Sequence, residues 1–433
     1  PNAATNPLAQ YKKGYSSAYQ GISMNSLANI YYLTNNSNIK NNLNNSINFI
    51  AYMLIPFNNS IDLQSAISTR VSDPQGIFRK SIEGGAESQE PMIYYLGSIF
   101  YLTENKYANR ISMYYNNYFN NMVNLSIWNY DVWMNGYSTI SLINMFNLWN
   151  ITNTTILLPN ENNSDYYKDF NNTKIYIQKT NNKVIYISYG WAMPSGGIIS
   201  DIYDIGKQIH LYSSQGASSN TSTQYGLGYL KKLYNDNSSA NITTNAWNGD
   251  AKTTILSNVY PYSILIEGNL TFINQSNMGV TYNTTYIFYN NFIKVDQQTS
   301  DIVNWESYQI SREDIGNSNI IAGRILSKNN ITFMPLFNMS YNDTIFNATW
   351  GNVDMLNATG NRFVYYVGYS NDRKFIDNGT INIYNPMNYT IKFEQGNLSN
   401  SIYSLGSLSS GTEITNNQAN ISLKPNSGVY IYD

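Results

Sequence analysis

The sequence predicts an α+β protein, with helices first and a large antiparallel β-sandwich after them. Three observations carry that expectation. Apolar residues recur near a 3.6-residue period up to about residue 150. After about residue 165 they alternate with period two. The alternating runs are separated by turn signals such as Asn181-Asn182 and Asn385-Pro386. Helices followed by many short strands form the segregated pattern of an α+β chain.

The elements follow in order. Residues 1–14 read as a linker, rich in Pro, Asn and Ala. Pro1 opens the chain without a basic and apolar leader, which predicts a processed or truncated start. A first helix runs from Tyr15 to Thr34, with Ile22, Leu27, Ile30, Tyr31 and Leu33 on its apolar face, and Thr34-Asn35-Asn36 ends it. A second spans about 38–55, with Leu43, Ile47, Ile50, Met53 and Leu54, and Pro56 stops it. Residues 58–89 read as a long connection broken at Gly84-Gly85. Further helices are expected over about 90–103, opened by Glu90-Pro91, and over about 105–123 and 136–149. The strands begin with 174–178 and 184–188 around Asn181-Asn182. Others are expected at 207–213, 262–272, 279–289, 291–296, 318–327 and 362–369, then at 380–384, 390–393 and 428–432. The domains expected are thus a helical part over 15–160, a sandwich over 165–355 and a C-terminal sandwich portion over 356–433.

Composition narrows the function classes. Charged residues make up 12% of the 433, about half the usual share, and the formal net charge is -2. No basic block marks a nucleic-acid surface. With no Cys and one His, disulfides, thiolate nucleophiles and multi-histidine metal sites are excluded within the chain. No apolar run is long enough to span a bilayer as a helix. P-loop, Gly-x-Gly-x-x-Gly, His-Glu-x-x-His and Gly-x-Ser-x-Gly signatures are absent.

The strongest signal is the N-x-S/T acceptor. Asn35, Asn44, Asn58, Asn124, Asn150, Asn153, Asn162 and Asn171 carry it in the first part of the chain. Asn220, Asn237, Asn241, Asn269, Asn274 and Asn283 follow in the middle. Asn330, Asn338, Asn342, Asn347, Asn357, Asn378, Asn388, Asn397 and Asn420 complete the set. This is roughly twice the number that chance gives in so Asn-rich a chain. The pattern predicts covalent N-glycans on a secreted or cell-surface protein. Stretches 61–123, 174–219 and 284–329 lack acceptors and are candidates for buried or ligand-facing surface. Low charge with dense glycan resembles secreted proteins of thermoacidophilic archaea, because a chain with few carboxylates changes little as they protonate. An AT-rich genome produces similar Asn and Ile enrichment.

Tyr19-Gln20-Gly21-Ile22 and Leu27-Ala28-Asn29-Ile30-Tyr31-Tyr32-Leu33-Thr34, echoed by Tyr94 to Thr103, carry a family resemblance. The phrase and the element order resemble polysaccharide lyases and related glycosidases that pair an α/α toroid with an antiparallel sandwich. The helices counted here make half a toroid or less, which leaves two expectations: the missing helices lie upstream of Pro1, or the helical part is a smaller bundle. Asp204-Ile205-Gly206-Lys207-Gln208-Ile209-His210-Leu211-Tyr212 resembles a strand of heparinase-type lyases. That family has a His two residues before the Asp, where this chain has Ile202. The resemblance implies proton abstraction beside a sugar carboxylate by a His or Tyr, with Arg, Asn or Glu neutralising the acid.

The candidate catalytic residues are His210, Glu83, Glu87, Arg70 and Arg79, with Lys80 and Glu90 beside them in the sequon-free connection. Two of these carboxylates have the chemistry for glycoside hydrolysis. Trp191, Tyr189 and Tyr212 are the candidate sugar-stacking residues. Trp128, Trp133, Trp149, Trp247, Trp305 and Trp350 more commonly serve a core. Trp305-Glu306 with Arg312-Glu313-Asp314 forms a further charged group. No cofactor is expected; Asp296 and Asp301 are the residues for a calcium ion, without EF-hand spacing. The cleft is expected between the helical part and the first strands, with Arg70 or Arg79 holding an acidic sugar opposite Trp191 and His210. Two readings stand: an extracellular polysaccharide lyase or glycoside hydrolase acting on an acidic glycan, or a non-catalytic glycosylated surface or filament protein. Expected partners are a polysaccharide or cell-surface glycan, together with self-association or an upstream portion of the precursor.

Overall fold

The computed structural model describes residues 17–57, 62–65, 105–111, 155–189, 198–207, 209–213, 227–231, 233–234, 242–243, 251–271, 277–290, 292–310, 319–321, 325–328, 331–336, 342–348, 351–368, 379–384, 390–395, 397–398, 401–402, 413–415, 418–423 and 429–432. The chain divides into two compact units. Unit 1 comprises Pro1–Tyr186, Tyr203–Ile209 and Ser219–Gln224, and unit 2 comprises Ile187–Ile202, His210–Ser218 and Tyr225–Asp433.

In unit 1, α1 (Ser17–Thr34) ends on Asn35, which takes the left-handed φ of 51°. Its N–H donates to the Tyr31 carbonyl at 2.7 Å, closing the helix as a left-handed cap does. α2 (Ser37–Met53) starts at once, because the Asn36 side chain accepts from the Asn38 N–H at 2.9 Å. Leu43, Ile47, Ile50 and Met53 recur at helical spacing and all are buried. Here the structure corrects the expected helix end. The helix stops at Met53, and Leu54–Phe57 is a strand, β1, paired antiparallel with β2 (Asp62–Ser65) in register Pro56↔Leu63. A residue preceding Pro is pushed toward extended backbone, and Pro is tolerated in a two-stranded ribbon. The expected connection therefore begins with a strand pair. Residues 106–111 are helical, within the fourth expected helix.

β3 (Tyr166–Phe170), β4 (Ile175–Thr180) and β5 (Lys183–Ser188) follow. Asn181 and Asn182 have φ of 47° and 59°, the double left-handed turn that matches strand twist. β4 is buried at every position, polar Gln178, Lys179 and Thr180 included. α2 packs on β3 through edge-on rings: Phe49 against Phe170 at 4.9 Å and Tyr52 against Tyr166 at 5.4 Å.

β6 (Ile198–Asp204) pairs with β7 (Ile209–Ser213). In unit 2, β8 (Leu227–Lys231) joins β6 through Ile199↔Leu227. β9 (Leu233–Tyr234) and β10 (Ile242–Thr243) form a small pair. β11 (Lys252–Ser257), β12 (Tyr262–Thr271), β13 (Asn277–Phe288) and β14 (Phe292–Ile310) form an antiparallel meander. β15 (Asn319–Ile321), β16 (Ile325–Lys328), β17 (Ile331–Leu336), β18 (Asn342–Ala348) and β19 (Gly351–Gly368) extend it. β14 is the spine of this unit: β19 runs along it from Phe292↔Gly368 to Ile310↔Val353. In the meander the inner positions Ile264, Ile266, Tyr282, Tyr286, Val295 and Gln297 are buried, while Glu267, Thr281, Asn283 and Gln298 are exposed. This is the alternation of a sheet with one face in the core.

The C-terminal strands are β20 (Gly379–Tyr384), β21 (Thr390–Gln395), β22 (Asn397–Leu398), β23 (Ser401–Ile402), β24 (Glu413–Thr415), β25 (Gln418–Leu423) and β26 (Val429–Tyr432). The two runs around Asn385-Pro386 do not pair with each other. β20 pairs with β25, and β21 lies between β24 and β26. β3 with β4, the meander strands β11–β14, and β14 with β8 and β19 are paired antiparallel, and among the described residues all helix lies before residue 112. The class is therefore mostly β with a few N-terminal helices; a toroid is not part of the described architecture.

Candidate functional site

The resemblance to a lyase strand leads first to Asp204. It closes β6, is buried, and accepts from the Lys207 backbone N–H at 3.0 Å. Its second oxygen, Oδ2, faces Lys183 Nζ at 3.6 Å and Lys207 Nζ at 3.9 Å. The Ile205 N–H donates to the Asn182 carbonyl at 2.9 Å, so this turn is tied to the β4–β5 hairpin. An aspartate so placed fixes a turn by charge and hydrogen bonding.

A second polar centre in unit 1 gathers around Asn160. The last carbonyls of a helix have no partner within it. Asn160 Nδ2 donates to the carbonyls of Tyr52 at 3.2 Å and Leu54 at 2.6 Å, and the Tyr186 hydroxyl donates to Tyr52 O at 3.0 Å. Tyr166 OH donates to Asn160 Oδ1 at 2.6 Å. Burial, then the neighbouring Tyr52 and Tyr107, raises the Tyr166 pKa well above its ordinary value, so the hydroxyl remains a donor. Beside it Arg110 clamps Glu161 with Nη2–Oε1 at 2.6 Å and Nε–Oε2 at 3.0 Å, and Glu161 Oε2 also accepts from Leu158 N–H at 2.8 Å. Sequence reasoning passed over these residues, because Asn160 lies 106 and 108 positions from the carbonyls it serves and Arg110 lies 51 from Glu161.

Unit 2 has its own buried centre. β8 bulges where Glu306↔Tyr229 gives way to Ser307↔Leu227, leaving Gly228 as the extra residue, with φ of 91°. Gln297 Nε2 donates to the Gly228 carbonyl at 2.9 Å, and Trp305 Nε1 donates to Gln297 Oε1 at 2.8 Å. Tyr365 OH also points at that oxygen, at 3.4 Å, and the Trp305 and Tyr365 rings meet edge-on at 5.2 Å. Burial raises the Tyr365 pKa, and burial followed by Tyr365 and Tyr282 raises that of Tyr286. These tyrosines stay protonated and hold structure. A base would need the opposite shift.

Of the sequence-predicted site residues, Arg70, Arg79, Lys80, Glu83, Glu87, Glu90 and Trp191 lie outside the described residues. Trp128, Trp133, Trp149, Trp247, Trp350, Arg312, Glu313 and Asp314 also lie outside them. His210 and Tyr212 fall on β7, a strand as expected, and Tyr189 is fully buried. Trp305 is fully buried as well, in the core role. Asp296 is held by Arg362 (Nη2–Oδ2 2.8 Å), and Asp301 Oδ1 accepts from the Ile302 N–H at 2.7 Å. Among the described residues no three His, Cys, Asp or Glu side chains gather in one group, and no helix is long and apolar enough to cross a membrane.

The acceptor asparagines divide by position. Asn35, Asn162, Asn171 and Asn283 are exposed. Asn44 is half-buried, and its Oδ1 accepts from Asn105 Nδ2 at 3.2 Å; Asn269 is half-buried in β12. Asn342, Asn347, Asn357, Asn397 and Asn420 lie in strands. Asn58, Asn124, Asn150, Asn153, Asn220, Asn237, Asn241, Asn274, Asn330, Asn338, Asn378 and Asn388 lie outside the described residues.

No protein family and no curated relative matches the chain. Solved structures give distant likenesses. A chondroitin AC lyase of Streptomyces coelicolor, in complex with chondroitin sulphate, aligns with a TM-score of 0.44 at 8% identity, over 96% of this chain and 69% of that one. The heparan sulfate lyase HepC of Pedobacter heparinus aligns with a TM-score of 0.34 at 12% identity, over 61% and 44%. The 4-alpha-glucanotransferase of Thermococcus litoralis aligns with a TM-score of 0.29 at 6% identity, over 47% and 39%. The chain thus spans less than half the length of HepC and of the glucanotransferase. What the chain shares with polysaccharide lyases is a distant structural similarity.

Proposed function

We propose that this chain is an extracellular N-glycosylated protein of the carbohydrate-active class, a polysaccharide lyase or glycoside hydrolase acting on an acidic glycan. One observation supports the extracellular, glycosylated part: acceptor asparagines Asn35, Asn162 and Asn171 are exposed, Asn35 at the helix stop that the sequence marks. The succession of helices and antiparallel sheets supports the carbohydrate-active part, together with the lyase-like phrase ending at His210. In this reading Arg70 or Arg79 neutralises the sugar acid, Trp191 stacks on the ring, and His210 or one of Glu83 and Glu87 moves the proton. In this reading the helices within 15–160 form part of a toroid or a smaller helical bundle.

The test is incubation with acidic and neutral polysaccharides at low pH, read as unsaturated or reducing ends released. Turnover lost in His210→Ala and Glu87→Ala, with thermal stability unchanged, supports the assigned roles. A wild type inert on every glycan removes the enzymatic reading. The second reading, a glycosylated surface or filament protein without turnover, then stands. It is favoured by the full burial of Tyr189 and by Ile202 in place of the lyase histidine.

A further inference from the structure

The meander of unit 2 has two unlike ends. Antiparallel pairing, with Tyr262 opposite Phe288, brings the β11–β12 and β13–β14 turns to the same end. That end gathers rings. Tyr260 stands edge-on to Tyr289, with centroids 6.4 Å apart and planes at 87°, and edge-on to Tyr262 at 6.4 Å and 85°. Tyr289 in turn stacks on Phe292 at 4.4 Å, and Phe292 is fully buried, so the corner is anchored on the core. It also meets water: Tyr260 is 42% exposed and Val259 68%, with Asn258 and Pro261 exposed and Asn290 half-buried. Both turns are held by their own bonds. Ser257 Oγ donates to the Val259 carbonyl at 2.8 Å, and the Tyr289 N–H donates to the Phe292 carbonyl at 2.9 Å. A surface ordered before its ligand arrives loses little further freedom on binding.

Three properties of this corner say what it takes. Segments 253–266 and 285–293 contain no Asp, Glu, Lys, Arg or His, so nothing in them complements a charged ligand. Perpendicular tyrosine rings with amides beside them combine apolar faces and adaptable hydrogen bonding. A pyranose ring has the same division, C–H faces with a rim of hydroxyls. An apolar peptide or acyl chain would leave the amides of Asn258 and Asn290 without partners. The corner is also bare of acceptors: Asn258-Val259-Tyr260 and Asn290-Asn291-Phe292 lack the Ser or Thr that would make each Asn one. The acceptors on these strands, Asn269 and Asn283, lie toward the other end, Asn283 six residues before Tyr289, about 20 Å along an extended chain.

We propose that this corner of unit 2 binds a neutral glycan, with Tyr260 and Tyr289 as the stacking rings and Asn258 and Asn290 hydrogen-bonding the sugar hydroxyls. Its residues are none of those assigned to turnover of an acidic glycan above, and binding here involves no covalent step. Ring stacking and neutral hydrogen bonds are little screened by ions, so affinity at this corner is the same at low and high salt, whereas an acidic glycan held by lysine or arginine is released as salt rises.

The experiment is affinity electrophoresis of the full chain through gels holding dextran, mannan, β-glucan or chondroitin sulphate, at low and high salt. Retardation by at least one of the neutral polysaccharides is expected, equal at both salt levels. Tyr260→Ala is expected to weaken that binding about tenfold or more, as loss of an aromatic anchor does. Asn258→Ala is expected to weaken it about threefold. Tyr260→Phe keeps the ring and most of the affinity. No retardation by any neutral polysaccharide overturns the site, and so does a Tyr260→Ala chain retarded like the wild type. Retardation by chondroitin sulphate alone, lost in high salt, also overturns it. Uptake onto uncharged phosphatidylcholine vesicles without retardation by glycan overturns it in favour of a membrane surface. Should Tyr260→Ala fail to fold, Asn258→Ala, at an exposed position, decides: binding equal to the wild type overturns the proposal.

Discussion

In unit 1 the buried amide of Asn160 bonds to the carbonyls of Tyr52 and Leu54, at the C-terminal end of α2. In unit 2 the buried amide of Gln297 bonds to the carbonyl of Gly228, at a bulge in β8. Both amides answer the same demand by different routes. A helix end and a bulge each leave backbone acceptors outside the regular ladder, and a buried acceptor without a donor costs about 1–3 kcal/mol. Unit 1 meets the demand with hydroxyls from two further strands, Tyr166 and Tyr186. Unit 2 meets it with one glutamine backed by an indole and a phenol. The hub in unit 1 joins helix to sheet, whereas the one in unit 2 joins strand to strand. Charge is nearly absent from both, which suits a chain with so few ionisable groups.

The largest expected effect on both hubs is alkaline unfolding. Tyr52, Tyr166 and Tyr176 in unit 1 and Tyr286 and Tyr365 in unit 2 all have raised values, with burial the leading cause. The folded chain keeps protons that the unfolded chain releases from 10.0 upward, so stability falls as pH rises beyond that point. Lys179 acts with the opposite sign. Burial lowers its pKa, so it adds stability as pH rises toward 10.5, but it is one group against five. Denaturant midpoints between pH 9 and 12 should show a net loss; a flat profile would contradict the buried tyrosines.

Trp305→Ala removes a fully buried ring from the unit 2 centre and is expected to cost roughly 3–5 kcal/mol. Calorimetry should then show unit 2 melting first, with unit 1 little changed. A Cβ at Gly228 would collide with the Tyr365 hydroxyl and sit 2.9 Å from Gln297 Oε1, on a backbone of positive φ. Gly228→Ala is therefore expected to cost about 2–3 kcal/mol, by denaturant titration. Asn160→Leu leaves helix-end carbonyls without their amide and should cost about 1–3 kcal/mol in unit 1 alone. Equal loss in both units would show that the two hubs are not independent. The smallest effect belongs to Arg362→Ala. Its pair with Asp296 lies on the exposed face, with the arginine side chain 60% exposed, and contributes less than about 1 kcal/mol. That loss should vanish in high salt.

Local pattern made some elements legible. The tight hairpin at Asn181-Asn182 was readable because two consecutive left-handed residues favour Asn. α2 was readable because Leu43, Ile47, Ile50 and Met53 share one helical face. Its true end was harder to place, since the apolar period continues through Leu54 while the backbone turns extended before Pro56. The runs around Asn385-Pro386 carried a hairpin signal, yet their partners come from later in the chain. Strand partnership depends on non-local pairing, which period-two alternation does not encode.

By itself the sequence determined the charge poverty, the exclusion of thiol and multi-histidine chemistry, the acceptor asparagines and the switch from helical to strand period. Each is a property of composition or of neighbours within a few residues. Tertiary structure decided which polar groups are buried and what satisfies them. It set Asn160 beneath a helix that ends more than a hundred residues earlier, and it joined Gln297 to Gly228. The physical reason is the same in each case. A buried carbonyl must find a donor, but which residue supplies it depends on what the fold brings near.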